Sequence, residues 1–381
     1  MTAGHVDPRV AAIDPGTALT VRRLLALAPR GLAAAYRQET GEFAQTVRGV
    51  SGPPGVRIAP EGVNLRYAAM AALGLGRLPV EGQRAVLAGR TAAEVAARTS
   101  ERAVHSSDPG AVALAAWADA ELNATFADKL FYRLRTMLAA GEPLPTVDTS
   151  WMATAGVVAS HLGDTDEVVN FAMAKLLRQQ GDQGIFPHWL PPTAQPRWRS
   201  HVGSFADQVY PIQALARASR GTGVTGWLDA ANRTAGRICE LQGDQGQWWW
   251  HYDARDGSVV EGFPVYSVHQ HAMAPMVLFD LLDAGGDDHT EEISRGVRWI
   301  DTHPEVVEEL VSERWGLIWR KVGRREPPKA ARALNAVTTA VRPGLHVPGV
   351  DRLLPPTLVD HECRPYELGW LLYAWLGGGE R

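Results

Sequence analysis

The sequence of 381 residues has few cysteines and no long apolar run. Its two cysteines, Cys239 and Cys363, are too few for a disulfide scaffold and are typical of a reducing compartment. No stretch approaches the roughly 18–20 apolar residues of a membrane span. The N-terminal residues lack the basic and apolar segments of a signal peptide. The sequence therefore predicts a cytoplasmic protein without a membrane span.

The sequence also lacks an excess of positive charge, and it shows little strand-like alternation. The formal net charge is −4, and the short basic run at 320–325 is interpreted as a solvated loop, so no nucleic-acid partner is predicted. Few segments alternate apolar and polar residues as a strand does, and one hairpin is predicted around Asp256 and Gly257. The sequence therefore predicts an all-α fold with little or no β-structure.

Tryptophan, in contrast, is abundant, with 13 residues. Tryptophan side chains in loops either fill gaps between helices or form flat platforms for sugars and isoprenoids. Those in predicted loops are Trp189, Trp198, Trp248, Trp249, Trp250, Trp315 and Trp319. Which role each one has depends on the fold.

A seven-residue motif occurs twice, as QGDQGIF at 180–186 and as QGDQGQW at 242–248, and each copy follows two helix-like runs joined by a turn. The predicted helices are 17–39, 64–75, 90–102, 109–119, 123–139, 150–161, 166–179, 207–219, 227–241, 268–285, 286–300, 328–341 and 365–376. Most of them form pairs, and the last apolar run is placed to close a ring against the first.

Helical hairpins of this kind cannot bury both of their faces alone, but a closed ring of about six hairpins can. Inner helices rich in small residues then face the axis, and outer helices cover them. We therefore predict a single (α/α)6 toroid domain over residues 1–381. Within it, the less regular, proline-rich segment 302–362 is expected to wrap one end of the ring.

The two loops, LRQQGDQGIF at 177–186 and LQGDQGQW at 241–248, resemble the QW repeats of terpenoid cyclases and protein prenyltransferase β subunits. The resemblance covers residues 150–300 and implies an α/α toroid in which these motifs tie outer helices together. Other α/α toroids act on uronic acid polymers or build thioether rings in peptides. The resemblance therefore implies a fold and leaves the activity open.

The acid and metal motifs of these families are incomplete here. Class II cyclases carry a DxDD motif that opens an inner helix, and the equivalent segment, 146–149, offers only Asp148. The segment DTDE at 164–167 lies in a turn, where aspartates cap helices. Prenyltransferases hold zinc through Asp, Cys and His in that order, whereas Cys363 follows the candidate histidines. No metal or cofactor is therefore predicted.

The inner helices of a toroid begin at one mouth, so their first turns converge there, and helix N-termini favour anions. The first-turn residues are Asp148, Trp151, Asp207, Gln208, Tyr210, Tyr266, His269, Gln270, His271, Glu362, Cys363, Arg364, Tyr366 and Glu367. The loops leading into them add His188, Trp189, Arg197, Trp198, Arg199, His201, Trp250, His251, Tyr252 and Arg320. This end of the ring is therefore expected to be polar.

The densest cluster is the segment 266–271, which contains two histidines. Histidine gives and takes protons near neutral pH. Since residues two apart on a regular helix point about 200° away from each other, we expect only one of His269 and His271 to face the axis. We predict catalytic roles for His269, Tyr266, Asp207, Glu362 and Asp148. Substrate contacts are predicted for His271, Gln270, Arg364, Tyr366, Trp151, Trp198, Trp250, His251 and Arg320.

Each of these sets also has a purely structural interpretation. Asp148 and Asp207 stand at helix starts and are also interpreted as caps, and Glu362 can pair with Arg364 to close the ring. A zinc site from Cys363, one of the two histidines and one aspartate is chemically feasible, but no pair has a diagnostic ligand spacing.

Three functions remain open. The first is a cofactor-free acid/base enzyme acting on a polar, anionic carbohydrate or sugar conjugate, of epimerase, lyase or hydrolase type, in which an arginine neutralises a carboxylate and Tyr266 or His269 moves the adjacent proton. The second is a terpenoid-cyclase-like enzyme in which Asp148 or Asp207 protonates an alkene and tryptophans stabilise cations. The third is a non-catalytic binding toroid. The oligomeric state is not predicted.

Overall fold

The computed structural model describes residues 7–50, 57–327 and 329–377. The helices in these ranges are α1 Pro8–Ala11, α2 Pro15–Ala35, α3 Leu65–Leu75, α4 Val80–Val86, α5 Ala92–Ala103, α6 Pro109–Asn123, α7 Asp128–Ala139, α8 Thr146–Ala159, α9 Asp166–Leu177, α10 Ala206–Thr222, α11 Thr225–Glu240, α12 Ala274–Asp283, α13 Thr290–Thr302, α14 Ala330–Val341, α15 Val350–Leu353 and α16 Pro365–Trp375. A π-helical turn, His269–Met273, leads directly into α12. None of these helices is both long and apolar enough to cross a lipid bilayer.

Six helices line the axis as a closed inner ring, in the order α3, α6, α8, α10, α12 and α16, with α16 packed against α3. The outer helices α5, α7, α9, α11, α13 and α2 cover them. This is the (α/α)6 toroid that the sequence predicts, and the predicted helices differ from the observed ones by a few residues at their ends. The predicted helix at 328–341 is α14, and Pro328 itself lies outside the described residues.

The strands are short and lie in the connections. They are β1 Tyr36–Arg37, β2 Glu42–Phe43, β3 Thr46–Val50, β4 Arg57–Glu61, β5 Leu144–Pro145, β6 Trp189–Leu190, β7 Val202–Ser204, β8 His251–Asp253, β9 Val259–Glu261, β10 Val265–Tyr266, β11 Val311–Ser312, β12 Leu317–Ile318, β13 Lys321–Gly323, β14 Leu358–Asp360 and β15 Glu362–Cys363. They pair into the small antiparallel sheets β1-β2, β15-β3-β4, β5-β6, β7-β8-β9, β10-β13-β14 and β11-β12. The predicted hairpin around Asp256 and Gly257 is β8-β9. Most of the other strands have two or three residues, which is too few to show an alternating pattern in the sequence, whereas β3 and β4 have five each and were not predicted.

The glutamine that opens each QGDQG motif ties neighbouring outer helices together. The Nε2 atom of Gln180 donates hydrogen bonds to the Ala230 carbonyl and to Thr234 Oγ1 of α11, each at 2.9 Å. The Nε2 atom of Gln242 donates to the Glu292 carbonyl of α13 at 3.0 Å. The motifs therefore have the tying role that the resemblance to QW repeats implies.

A second pair of glutamines binds the aromatic residue that ends each motif. Gln208 of α10 accepts from the Phe186 amide at 2.8 Å and donates to the Phe186 carbonyl at 3.0 Å. Gln270, in the π-helical turn, accepts from the Trp248 amide at 3.2 Å and donates to the Tyr266 carbonyl at 3.1 Å. Both ends of the Gln270 amide are thus bonded to the backbone, and the substrate contact predicted for it stays a prediction.

A buried ion network holds the C-terminal ends of the inner helices. Asp280 of α12 accepts from Arg217 and Gln213 of α10, each at 2.8 Å, and from Arg9 of α1 at 3.0 Å. Although burial acts in the opposite direction, Arg217 and Arg9 lower the pKa of Asp280 to about 2. The carboxylate therefore stays charged over the ordinary pH range and fixes three segments of the chain.

Glu121 of α6 extends this network across the ring. Arg217 donates to the Tyr373 hydroxyl at 3.1 Å, and that hydroxyl donates to Glu121 at 2.9 Å. Arg77, just after α3, pairs with Glu121 at 2.7 Å. Since these residues belong to helices that are not all neighbours in the ring, the side chains meet at the axis.

Large aromatic side chains fill the axis above this network. The Trp370 indole of α16 donates to the Tyr210 hydroxyl of α10 at 2.9 Å, and its ring lies 5.6 Å from that of Trp117 in α6. Trp151 of α8 packs on Tyr210 at 4.9 Å between ring centroids. All of these residues are buried, so this part of the axis is filled by side chains.

We expect that Gly246, the second glycine of the second QGDQG motif, cannot be replaced without loss of stability. Gly246 has φ +93°, and a Cβ atom there would lie 2.1 Å from the Arg295 carbonyl oxygen. Gly246→Ala should lower the free energy of unfolding by about 2 kcal/mol or more, because strained backbone and a steric clash add. Chemical denaturation measures this. The matched control is Gly236→Ala in α11, where an added Cβ meets nothing within 4 Å. That control should be neutral or stabilising, and equal stability of the two variants would contradict the argument.

We also expect Asp280→Asn to destabilise the fold by about 3 kcal/mol or more, because it leaves two buried arginines without their shared carboxylate. Asp283→Asn is the control, since Asp283 pairs with the same Arg9 but its side chain is 46% exposed. Thermal unfolding at neutral pH compares the two variants. A small and equal effect of both substitutions would show that the network contributes little to stability.

Candidate functional site

At the mouth, Arg66 joins the first turns of three inner helices. It lies in the first turn of α3, pairs with Asp108 at the start of α6, and donates to both carboxylate oxygens of Asp148 in α8, at 2.8 and 3.0 Å. Burial raises the pKa of Asp148, although Arg66 acts in the opposite direction. The guanidinium of Arg66 also lies 5.3 Å from the ring of Trp151. Asp148 is therefore at the mouth but fully paired, and Trp151 is buried behind it.

A second group at the mouth consists of arginines and tyrosines, and we call Arg320, Arg364, Tyr67, Tyr266 and Tyr366 the arginine–tyrosine cluster. Arg364 donates to the Tyr67 hydroxyl at 2.6 Å, and the Tyr67 and Tyr366 rings lie 4.7 Å apart. The guanidinium of Arg320 lies 4.8 Å from the Tyr266 ring. Four predicted site residues thus come together here, and Tyr67 is the member that the sequence did not indicate.

Glu367 of α16 lies beneath the arginine–tyrosine cluster and is buried. Its Oε1 atom is 3.4 Å from Arg320 Nε. Burial raises the pKa of Glu367 to about 7, while Arg320 and Arg364 act in the opposite direction. This carboxyl group is therefore close to its titration point at neutral pH.

Trp250 is the central platform of the mouth. Its half-buried ring lies 4.6 Å from the Tyr266 ring, 4.8 Å from that of His251 and 6.0 Å from that of His269. The guanidinium of Arg332, from α14, lies 5.2 Å from the same ring. Of the three consecutive tryptophans, Trp250 is thus the one whose ring packs against predicted site residues.

The two histidines of the π-helical turn are both buried but have different surroundings. His269 stacks on Phe205 at 4.4 Å and belongs to the Trp250 group. His271 is completely buried, and neither of its ring nitrogens has a hydrogen-bond partner among the described residues. Burial lowers the pKa of His269 well below its usual value and that of His271 to about 3. Of the two, only His269 packs against Trp250, and the substrate contact predicted for His271 stays a prediction.

The sequence indicated His188 only as a loop residue, but the structure pairs it with Asp207. Its Nδ1 atom lies 2.9 Å from Asp207 Oδ2, and that oxygen also accepts from the amide and the hydroxyl of Ser204, each at 2.7 Å. Asp207 is fully buried, whereas the side chain of His188 is 38% exposed. Asp207 raises the pKa of His188. His188 follows the first QGDQG motif by two residues, which is the signal that could have drawn attention to it.

Several predicted residues lie at the rim or away from the axis. Glu362 of β15 pairs with Arg48 of β3 and, at 3.7 Å, with Arg364, which is the ring-closing role considered for it. His251 is buried behind Trp250, and Trp198 is 41% exposed on its loop. Within the described ranges, no three histidine, cysteine or acidic side chains come together as metal ligands do.

The mouth therefore combines a half-exposed histidine held by a buried aspartate, an aromatic platform, and two arginines beside phenols and a carboxyl group. A histidine whose Nδ1 is fixed has Nε2 for proton transfer. Arginines recognise carboxylate and other anionic oxygens. The arrangement can hold an anion beside Trp250 and move a proton on it.

No family model matches the sequence, and no curated protein matches it either. Solved structures do match over nearly the whole chain. An unsaturated glucuronyl hydrolase specific for heparin has 13% identity and a TM-score of 0.55, with 93% of this chain and 96% of that chain covered. The unsaturated glucuronyl hydrolase of Bacillus sp. GL1 has 13% identity, a TM-score of 0.57 and the same coverage. A sugar epimerase from a ruminal bacterium has 11% identity and a TM-score of 0.59, with 95% and 98% covered. The chain thus shares the (α/α)6 toroid fold of these proteins.

Proposed function

We propose that this protein is a cofactor-free acid/base enzyme that acts on an anionic carbohydrate at the mouth of the toroid. The observation that carries the proposal is the placement of Trp250 between the arginine–tyrosine cluster and the other histidines and arginines of the mouth. The structural neighbours, which are named as glucuronyl hydrolases and a sugar epimerase, support a carbohydrate substrate. The reaction is of epimerase, lyase or hydrolase type.

The arginine–tyrosine cluster is the proposed binding site for the substrate's anionic group. Within the described part of the chain, the buried Nε atom of Arg364 makes no hydrogen bond, and that of Arg320 faces only Glu367 at 3.4 Å without a well-formed hydrogen bond. The N-termini of the inner helices add positive potential at the same place. A carboxylate here can accept from the arginines while its sugar ring stacks on Trp250, since sugars present apolar faces to aromatic rings.

The proposed proton-transfer group is His188, with Asp207 as its positioning partner. Asp207 holds the Nδ1 side of the imidazole, so that Nε2 donates a proton to the substrate or removes one. Tyr266 and His269 both pack against Trp250, with their own rings 5.0 Å apart, and they are the candidates for the second proton transfer. The catalytic roles proposed for Tyr266, His269 and Asp207 follow the sequence analysis, and His188 is added to them.

The mouth is less suited to an isoprenoid substrate. Arginines beside the reacting carbon would repel a carbocation, and the aromatic side chains that would stabilise it are packed against each other along the axis. Asp148 and Asp207, the candidate acids in that alternative, are paired with Arg66 and His188. A terpenoid-cyclase-like activity is therefore the second candidate, favoured only by the QGDQG motifs.

We further propose that residues 1–381 form one domain and that the protein is cytoplasmic.

Turnover of an unsaturated glucuronyl disaccharide, or exchange of a sugar C–H with deuterium in D2O, would test the function directly. His188→Asn should lower kcat by about 10²–10⁴-fold, because the variant keeps a donor for Asp207 but has no titrating nitrogen. Loss of the absorbance of the unsaturated ring measures hydrolysis, and NMR measures exchange.

His161→Asn is the control, because His161 is exposed at the opposite end of α8. It should retain full activity, and both variants should unfold at the temperature of the unsubstituted protein. Unchanged kcat in His188→Asn would remove His188 from the mechanism. Consumption of an isoprenoid diphosphate, with no reaction of any anionic saccharide, would favour the second candidate.

The pH profile of kcat tests the role of Asp207. Since Asp207 raises the pKa of His188, the protonated imidazole persists to higher pH, and the rate of an acid-catalysed step falls as the pH rises through that pKa. Asp207→Asn should therefore move the alkaline limb of the profile to lower pH. The control Asp182→Asn, in an exposed loop, should leave the profile in place. An unmoved limb in Asp207→Asn would contradict the pairing mechanism.

A further inference from the structure

Helix α14 buries polar side chains and exposes apolar ones, which is the reverse of the ordinary pattern of a surface helix. On its inner side, the Asn335 amide donates to the carboxylate of Glu261 in β9. One turn further on, the Thr339 hydroxyl lies 2.9 Å from His201 Nε2. Asn335 and Thr339 are both buried, so polar side chains fix the inner side of α14 to the protein.

The outer side of α14 carries a row of apolar side chains that we call the α14 stripe. Its members, Leu334, Val337 and Val341, are 40%, 47% and 79% exposed. Their spacing of three and four residues places them on one side of the helix, opposite Asn335. The connection after α14 adds exposed Val347, which borders the same groove as Asn335 and so lies beside the helix. Adjoining exposed apolar side chains of this kind mark a surface that contacts another molecule or a membrane.

Exposed cations flank the α14 stripe. Lys329 precedes the helix and Arg342 follows it, while Arg325 and Arg352 lie further out on either side. None of the four forms an ion pair with a described residue. Segment 325–353 contains five lysines and arginines and two acidic residues, which gives it a net charge of +3, whereas the whole chain carries −4. The surface around the stripe is therefore locally basic.

These charges distinguish between the partners that an apolar stripe could have. A second copy of the chain, docked about a two-fold axis, would bring the same cations face to face, and like charges repel. An anionic saccharide would attract the cations but would leave the apolar side chains without a partner. An anionic lipid surface suits both, because its headgroups attract basic residues and its interface accepts apolar side chains.

From this arrangement we infer that α14 is a peripheral membrane-docking helix, which places Leu334, Val337 and Val341 in the interface of an anionic lipid bilayer while Lys329 and Arg342 lie against its headgroups. The inference goes beyond the proposed function and does not depend on it. Docking of this kind lies on the membrane surface and does not span the bilayer.

Co-sedimentation of the full chain with lipid vesicles tests the inference. The probes are vesicles of phosphatidylcholine alone and vesicles of equal parts phosphatidylcholine and phosphatidylglycerol. The unsubstituted protein should bind the anionic vesicles about tenfold or more tightly than the neutral ones, because several cations near the surface add their attraction. This binding should weaken as the salt concentration is raised, since salt screens exposed charges.

The double variant Val337→Ser, Val341→Ser should bind the anionic vesicles about tenfold or more weakly, because it removes apolar side chains from the interface. The matched control is Val80→Ser, Val224→Ser, since these valines are 46% and 43% exposed but lie outside segment 325–353. The control should bind as the unsubstituted protein does. Both double variants should keep the unfolding temperature, because the four side chains are exposed.

Equal binding of the unsubstituted protein to the two kinds of vesicle, or undiminished binding in the stripe variant, would overturn the inference. A dimer in sedimentation velocity that the stripe variant dissociates, without vesicle binding by the unsubstituted protein, would replace the membrane by a second copy. Binding of a sulfated polysaccharide that Arg342→Gln weakens and the stripe variant keeps, again without vesicle binding, would replace it by a saccharide.

Discussion

All six inner helices run in the same direction, and the alignment of their dipoles governs the electrostatics of both ends of the ring. At the C-terminal end, buried arginines face the helix carbonyls, and carboxylates such as Asp280 and Glu121 balance their charge within one network. At the N-terminal end the helices contribute positive potential, and the buried Nε atoms of Arg320 and Arg364 make no hydrogen bond with a described residue. On the proposed function, the substrate's anion therefore binds at this end of the axis, whereas the charges at the other end are balanced within the protein.

The fold was predictable because its signals are local and repeated. The two QGDQG motifs showed which helices pair as hairpins, and runs rich in small residues marked the inner helices. The predicted helix boundaries therefore agree with the observed ones within a few residues. Most of the strands were not predictable, since two or three residues carry no period, and the five-residue strands β3 and β4 were missed as well. The π-helical turn at 269–273 was equally hidden, and it decides which histidine approaches Trp250. Gln270 looked like a binding residue because the sequence does not show that the backbone of Trp248 and Tyr266 occupies it.

The candidate site was predicted in its location but only partly in its members. First-turn residues such as Tyr266, Arg364 and Asp207 do converge, because helix direction alone brings them to one mouth. His188 and Arg332 were not in the predicted site, since each is carried by a connection whose path depends on tertiary contacts. Tyr67 was missed because the first turn of the helix at 64–75 was left out of the first-turn residues, although the same reasoning applies to it. Residues supplied by long-range contacts are those that a single sequence reveals least.

The contact between α3 and α16, which closes the ring, has a consequence for folding during synthesis. Helices α3 and α16 approach so closely that a Cβ atom on Gly74 would lie 2.0 Å from the Gly369 carbonyl oxygen. Until α16 has left the ribosome, the five inner helices before it form an open arc with an uncovered apolar edge, which is the kind of surface that chaperones bind. The same helix delivers Arg364 and Glu367 to the mouth. The nascent chain can therefore have neither a closed ring nor a complete binding site before its last helix docks.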